Sequence, residues 1–268
     1  MLAAAISACS DAAKPTAPTP PGPPDPPTPP VLLRNVEIPN LPSPYYHFAY
    51  DSAGRVNALS FASELRTYDV RYDGGRLSEM RSVVPADGDT LRYSYDETGR
   101  VSAIRYVDTK GITRATISFF YVGHELVGIE RNRRIDGGFT IDKTVSLSYY
   151  ADGNLRDLTI HHLAVAGQQE ATTTTDHFER YDDRINVDGF DLIHDEFFDH
   201  VLLLPGVQLQ KGNPAWQIHT GDGVNFTVDY TYTYDSDNRP TVKSGALKLL
   251  NGFGAGDRFE TTSLFSYY

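Results

Sequence analysis

Alternating apolar and polar positions dominate much of the chain after residue 45. In three stretches, apolar or aromatic side chains occupy every second position, with Ser, Thr or charged residues between them: Leu91–Tyr95, Val145–Tyr149 and Val228–Tyr234. Successive side chains of a β-strand point to opposite faces, so this pattern predicts strands with one buried and one solvent-facing side. An antiparallel sheet of this kind must curl, close or find a cover for its apolar face.

These strands belong to a repeat that begins with Tyr. Each copy continues with Asp or a short turn containing Gly, then a basic or polar residue, then two aliphatic residues three positions apart. The clearer copies start at Tyr50, Tyr72 and Tyr95, and weaker ones start at Tyr121, Tyr150, Tyr181 and Tyr234. The first five of these tyrosines are separated by 22, 23, 26 and 29 residues. This period fits one β-hairpin plus a return loop, so the sequence predicts a series of hairpins.

The turn of each copy has suitable local chemistry. In Tyr95-Asp96-Glu97-Thr98-Gly99-Arg100, the Asp side chain can bond its own backbone two residues on, and Gly accepts a positive φ. The aliphatic pair that follows, Val101 and Ile104, does not fit a strict period of two. We therefore expect a β-bulge just after each turn.

One segment interrupts the repeat between Tyr181 and Tyr234. Its apolar residues follow helical spacings of 3, 4, 4 and 3, at Phe190, Ile193, Phe197, Val201 and Leu204. Asp188 or Asp191 could cap this helix, and Pro205-Gly206 would end it. We predict an all-β domain over residues 31–268, formed by a large curled antiparallel sheet or an open barrel. A short helical insert at about residues 188–206 would cover its apolar face.

The net charge of the chain and the length of its apolar stretches limit the partners that this domain can have. The formal net charge is −11, with 35 Asp and Glu against 24 Lys and Arg, so phosphate backbones are repelled and no nucleic acid is expected. No apolar stretch approaches the roughly 20 residues of a membrane-spanning helix. The closing run Leu264–Tyr268 invites comparison with the terminal strand of an outer-membrane barrel, but the short apolar runs of these strands disfavour a lipid-exposed band.

The N-terminal residues predict export. Ile6-Ser7-Ala8-Cys9 resembles a bacterial lipobox, in which a signal peptidase cuts before a cysteine that then carries lipid. By this resemblance, residues 1–8 are a signal peptide remnant whose start lies upstream, and Cys9 is the lipid attachment site. Residues 9–30 are then a lipidated stalk, since their many prolines favour an extended polyproline conformation. The alternative is a free cysteine near a frayed terminus.

Two resemblances follow from these features. The Tyr-Asp repeats are similar to the YD repeats of Rhs and teneurin-type shells. The combination of lipobox, stalk, hairpins and insert with Gly212-Asn213-Pro214 and the Tyr232–Pro240 copy resembles uncharacterised Bacteroidetes lipoproteins. The resemblance implies a lipoprotein of the cell envelope, placed at the outer membrane and facing either the cell surface or the periplasm. It supplies no activity and no catalytic residues.

One cluster has metal-ligand chemistry, at His194, Glu196, Asp199 and His200. On a helix, Glu196 and His200 stand four residues apart and could share a cation. The spacing matches no established metal motif, and the solvated face of an amphipathic helix explains the same residues. No catalytic residue and no cofactor are predicted.

The sequence thus favours a non-enzymatic binding or structural module, attached to the membrane through its N-terminal lipid alone. Its partner would be a glycan, a peptide or another protein of an envelope complex. A metal-assisted hydrolase using the 194–200 cluster is the alternative. A third possibility is a shell piece that encloses a partner, but the repeats are few for a closed cocoon.

Overall fold

Sixteen antiparallel strands form a closed barrel in the computed structural model, which describes residues 31–83, 88–194 and 201–268. Each strand pairs with the next along the chain, and β16 pairs with β1. The predicted all-β antiparallel architecture is confirmed, and the barrel is closed rather than open. The strands are β1 Leu33–Glu37, β2 Tyr46–Tyr50, β3 Val56–Phe61, β4 Arg66–Asp73, β5 Arg76–Ser82, β6 Thr90–Tyr95, β7 Val101–Val107, β8 Thr113–Val122, β9 Glu125–Ile135, β10 Gly138–Tyr149, β11 Leu155–His162, β12 Thr172–Tyr181, β13 Pro214–Gly221, β14 Phe226–Tyr234, β15 Pro240–Leu249 and β16 Arg258–Tyr267.

The inside of the barrel, the lumen, holds the hydrophobic core. On β8, Ile117 and Phe119 face inward and are 2% and 5% exposed, whereas Phe120 faces outward and is 50% exposed. The same alternation continues around the wall, so a single hydrophobic cluster is contributed by most strands. The prediction of one buried and one solvent-facing side is confirmed.

The repeat turns lie together at one end of the barrel, which we call the tyrosine end. In the turn between β6 and β7, Asp96 Oδ1 accepts hydrogen bonds from the backbone N–H groups of Thr98 and Arg100, both at 2.9 Å. Gly99 has a φ of +86°, which L side chains rarely adopt. The predicted bulge follows, between Val101 and Ala103. It allows Val101 and Ile104 both to face the lumen, at 1% and 0% exposure.

Hydrogen bonds from tyrosine hydroxyls form a ring around the tyrosine end. Within the described residues, one tyrosine near the end of every even-numbered strand donates a hydrogen bond to a backbone carbonyl of the strand before it. The acceptor is the first or second residue of that strand. The bonds are 2.5 to 3.0 Å long and join Tyr50 to Leu33, Tyr72 to Val56, Tyr95 to Leu77, Tyr121 to Val101, Tyr149 to Leu126, Tyr181 to Leu155, Tyr232 to Pro214 and Tyr267 to Pro240.

Between β12 and β13, the chain enters the lumen as a segment that we call the strap, residues 182–194 and 201–213 in the described structure. The ring of Phe190 packs edge-on against the inward-facing rings of Tyr46 and Phe48, with centroids 5.0 and 5.2 Å away. The strap therefore does cover the apolar face, as predicted for an insert at 188–206. It does so without the expected helix, since its described part contains a single 3-10 turn, Gly189–Ile193.

The expected capping is also absent from this turn. Asp188 stands at its N-terminus but makes no capping hydrogen bond with its side chain there. Instead, Asp188 Oδ2 lies 2.7 Å from Lys243 Nζ across the lumen, so tertiary contacts override the helical pattern. Phe197 and the rest of residues 195–200 lie outside the described residues. Among the described residues, no helix has the length and apolar character required to cross a membrane.

The outer wall carries charged residues in the middle of several strands. Across β4, β5, β6 and β7, the outward positions pair Arg71 with Glu79, Glu79 with Arg92, and Arg92 with Arg105. Arg71 and Arg81 place their guanidinium groups 3.7 and 2.8 Å from the Glu79 carboxylate. This part of the outer wall is therefore a polar surface.

Candidate functional site

The lumen is tightly packed along most of the wall and is open to solvent where β16 begins. Inward-facing Met80, Leu91 and Ile104 are fully buried, at 0% exposure. By contrast, inward-facing Phe259 on β16 is 52% exposed, and its neighbour Leu247 on β15 is half-buried. The lumen is therefore accessible to solvent beside Leu247 and Phe259, which is the open side of the lumen. We call the polar and aromatic site on this wall the lumenal pocket; it comprises Asp176, Gln217, His219, Phe226 and Tyr230.

Strand register brings the three hydrogen-bonding side chains of the pocket together. Asp176 on β12 lies directly opposite His219 on β13, and Gln217 is two residues along, on the same inward face. Asp176 Oδ1 accepts a hydrogen bond from Gln217 Nε2 at 2.7 Å and lies 2.8 Å from His219 Nδ1. A carboxylate oxygen accepts hydrogen bonds, so the Nδ1–H group of His219 donates this one.

Tyr230 extends this network and links it to the strap. Its hydroxyl donates to Gln217 Oε1 at 2.5 Å, and burial raises the pKa of Tyr230. Lys243 Nζ lies 4.7 Å from the centre of the Tyr230 ring and 2.7 Å from Asp188 Oδ2 of the strap. Burial alone would lower the pKa of Lys243, but the Asp188 carboxylate together with Tyr232 and Tyr230 outweighs burial and holds the pKa above its usual value. The floor of the pocket is therefore the ion pair between Lys243 and Asp188, which lies beneath the ring of Tyr230 and carries no net charge.

Aromatic faces complete the pocket. The ring of Phe226 stacks on that of His219, with centroids 4.7 Å apart and planes 9° from parallel. Behind Tyr230, Gly245 leaves room for the tyrosine ring, since a Cβ there would lie 3.1 Å from Tyr230 Cε1 and 2.6 Å from Thr261 Oγ1. The site thus presents planar polar groups beside flat apolar surfaces.

A second polar group lies where the strap meets β2. The Tyr46 hydroxyl donates to the carboxylate of Asp191 and lies 2.7 Å from His194 Nδ1. Burial raises the pKa of Asp191, and the hydrogen bond from Tyr46 partly offsets that effect. The Asp191 side chain keeps 56% of its surface accessible although it lies inside the barrel. This group fixes the tip of the described strap to the wall and borders open lumen.

The predicted metal cluster is only partly described. His194 contacts Tyr46, as above, and also packs against the ring of Phe61 at 4.9 Å. Glu196, Asp199 and His200 lie outside the described residues, as does Cys9, the predicted lipid attachment site. Among the residues that the structure does describe, no three His, Cys, Asp or Glu side chains come together as a set that could hold a metal ion.

The residues of the lumenal pocket were not predicted from the sequence. A signal for them was present on β13, where the outward positions are the apolar Trp216 and Ile218 while the inward positions Gln217 and His219 are polar. This reverses the pattern of strands such as β8, where the inward positions Ile117 and Phe119 are apolar. Polar residues at lumen-facing positions are functional candidates when the lumen is otherwise apolar.

Comparisons with known proteins agree on the architecture. The chain is similar to a porin-like protein from Bacteroides uniformis ATCC 8492, with a TM-score of 0.56 and 17% identity over 83% of this chain and 89% of that one. It is also similar to a porin-like protein from Bacteroides vulgatus ATCC 8482, with a TM-score of 0.54 and 14% identity over 88% of this chain and 99% of that one.

These likenesses show the fold, a porin-like closed barrel. A further solved structure, TcdB2-TccC3-TEV, aligns at 11% identity over 77% of this chain and 14% of that one. Its TM-score of 0.26 does not indicate a shared fold. The sequence matches no protein-family model and no curated protein.

Proposed function

We propose that this chain is a non-enzymatic protein of the bacterial cell envelope that binds a glycan in the lumenal pocket. The observation that carries the proposal is the convergence of Asp176, Gln217 and His219 beside the rings of Phe226 and Tyr230 on the open side of the lumen. The proposal includes attachment to the outer membrane through a lipid on Cys9, with residues 9–30 as a stalk.

The chemistry of the pocket suits a sugar ring. Sugar hydroxyls both donate and accept hydrogen bonds, and the pocket offers a carboxylate acceptor, an amide that does both, and an imidazole. The C–H face of a sugar packs on aromatic rings, which Phe226 and Tyr230 provide. Since Lys243 is paired with Asp188, the floor contributes no excess charge, which favours a neutral or amino sugar over a strongly acidic one.

The charged side chains of the outer wall favour an envelope protein whose barrel is surrounded by water. Charged side chains occupy mid-strand outward positions on β4–β7, such as Arg92 opposite Arg105. Such charges are costly on a surface that faces lipid tails. Membrane attachment would then come from the N-terminal lipid, and the lumen would remain accessible to ligands from the surrounding solution.

A glycan-array screen followed by calorimetry on the positive glycans tests this function. The protein is the full chain with Cys9→Ser, which removes the acylation site. The variants Gln217→Ala and Tyr230→Phe each remove a polar group of the pocket, and each should weaken binding by about tenfold or more, because a hydrogen-bonded polar group is worth about 1–3 kcal/mol.

Thr227→Ala is the matched control. Thr227 lies on the same strand as Tyr230 but faces outward, so its variant should bind like the unaltered chain. An array without any bound glycan, or binding that Gln217→Ala and Tyr230→Phe leave unchanged, contradicts the proposal. Retention of metal by the purified chain, with hydrolysis that a chelator abolishes, would favour the metal-assisted hydrolase instead.

A further inference from the structure

A second cavity lies at the tyrosine end, on the side of the strap away from the lumenal pocket. Its volume is about 320 Å³, and it separates the strap from the barrel wall at β3, β4 and β5. The wall contributes Val56, Tyr72 and Leu77. Most of the strap residues that face it are apolar, and they include Phe190, Ile193, Leu202, Leu204, Val207 and Leu209.

Apart from Gln208 at its edge, the polar side chains that line this cavity form hydrogen bonds within the protein. Asn186 Nδ2 donates to Asp188 Oδ1 at 3.1 Å, while Asn186 Oδ1 accepts from the backbone N–H of Gly189 at 3.0 Å. Gln210 Nε2 donates to the hydroxyl of Tyr181 at 3.0 Å. A buried water needs about two to four polar partners, which this lining does not readily supply. The cavity therefore favours an apolar occupant over a water cluster.

The cavity also extends from the surface to the core. Pro205 and Gln208, which line its edge, are exposed, whereas Leu77, Leu202 and Leu209 are 1%, 3% and 3% exposed. Packed protein interiors contain few voids larger than a water molecule. An apolar space of this size that is reachable from solvent is thus typical of a ligand site, since such sites span roughly 300–1,000 Å³.

We propose that this cavity binds a single apolar chain of a lipid-like molecule, with the polar end of that molecule at Gln208. A cavity of about 150 Å³ accommodates the six carbons of benzene, so about twice that volume suits a chain of about twelve carbons. This site is independent of the proposed glycan site, because it lies at the other end of the lumen and uses none of the pocket residues.

Calorimetric titration of the full chain carrying Cys9→Ser with dodecanoate, below its aggregation concentration, tests the proposal. Hexanoate serves as the short-chain comparison. We expect one dodecanoate per chain, and hexanoate should bind at least about 100-fold more weakly, because each buried methylene adds to the affinity. Leu204→Trp, which fills the cavity, should weaken dodecanoate binding by at least about tenfold, because the bulkier ring occupies the ligand volume.

Leu250→Trp is the matched control, since Leu250 is 42% exposed and lies outside the cavity lining. Circular dichroism establishes that each variant is folded, and Val207→Phe replaces Leu204→Trp if that variant is not. Absence of dodecanoate binding overturns the proposal. Binding that the cavity-filling variant leaves equal to that of Leu250→Trp overturns it too, because it would place the ligand elsewhere on the surface.

Discussion

The hydroxyl of Tyr121 donates a hydrogen bond of 2.9 Å to the backbone carbonyl of Val101. The two residues stand at the tyrosine end of the adjacent strands β8 and β7, and Arg100 holds its guanidinium 4.6 Å from the centre of the Tyr121 ring. Burial raises the pKa of Tyr121 to about 12, so the hydroxyl keeps its proton at neutral pH. Seven other tyrosines make the equivalent bond in the described structure, so this contact is a structural element of the repeat itself.

Tyr121→Phe should destabilise the barrel by about 1–2 kcal/mol, because the carbonyl of Val101 loses its side-chain donor at a partly buried position. Urea unfolding followed by circular dichroism measures this change in the free energy of unfolding. Tyr230→Phe is the comparison, since its hydroxyl bonds another side chain beside open lumen rather than a strand carbonyl. Equal losses in the two variants would contradict a special role for the ring.

A buried ion pair stabilises the wall between β9 and β10. A bulge between Ile141 and Lys143 turns Asp142 inward, where it is 0% exposed. Its carboxylate accepts hydrogen bonds from Arg131 at 2.8 and 2.9 Å, and Arg133 Nε lies 2.9 Å away. Asp142→Asn removes the charge that compensates buried Arg131, so we expect a loss of about 3–5 kcal/mol in the free energy of unfolding.

Asp229→Asn is the matched control for that variant. Asp229 forms an ion pair with Arg180 at 2.8 Å, but their side chains are 65% and 55% exposed. Exposed pairs contribute about 0–1 kcal/mol, so this variant should unfold almost as the unaltered chain does. If the two variants proved equally stable in denaturant titrations, Asp142 would not have the assigned role.

The strap returns to the wall through a close backbone contact at Gly212. A Cβ at this residue would lie 2.0 Å from the carbonyl oxygen of Asp182. Next to it, Asp182 Oδ1 accepts from the backbone N–H of Asn213 at 2.8 Å, and Asn154 Oδ1 accepts from that of Gly212 at 2.9 Å. Gly212→Ala should therefore cost about 3 kcal/mol of stability, at the upper end of the range for overpacking.

Thermal and urea unfolding of Gly212→Ala check this value. Gly138→Ala is a suitable comparison, because the nearest atom to its added Cβ, the carbonyl oxygen of Ile135, lies at an ordinary 3.8 Å. Gly138→Ala should change stability little. A Gly212→Ala chain as stable as Gly138→Ala would mean that the strap does not need this close approach.

Much of the barrel was predictable because its signals are local. Asp96 and Gly99 specify their turn within five residues, and the spacing of Val101 and Ile104 indicates the bulge that follows. Closure was not predictable, because it depends on β1 pairing with β16, as in Val36 opposite Phe265 at the two ends of the chain. No local pattern in the five-residue strand β1 indicates that partner.

The site was harder to predict than the fold. Asp176 and His219 lie opposite each other because of the register between β12 and β13. The strap separates these two strands in sequence. Within the strap, Phe190 and Ile193 have helical spacing, yet they pack into the lumen from a single 3-10 turn. Burial against the barrel wall therefore determines the local conformation. Helix propensity reflects the local sequence only and does not take that burial into account.

A histidine on the outer wall should make stability depend on pH. His177 on β12 lies with Nδ1 2.6 Å from Asp157 Oδ1 and Nε2 3.1 Å from Glu179 Oε1, so each ring nitrogen faces a carboxylate. Partial burial alone would lower the pKa of His177, but the hydrogen bonds to Asp157 and then Glu179 outweigh it and raise the pKa above 6.5. The folded chain thus holds this proton more tightly than the unfolded chain does.

Because the folded-state pKa is raised, the stabilisation is fully present below pH 6.5 and is lost as pH rises through the folded pKa. NMR titration of the His177 ring should give a midpoint above 6.5, and urea unfolding should show falling stability over the same pH range. Glu179→Gln removes one carboxylate and should move both midpoints downward, whereas Glu97→Gln, in a turn at the tyrosine end, should move neither. A His177 midpoint at or below 6.5 in the unaltered chain would show that the two carboxylates do not hold the proton.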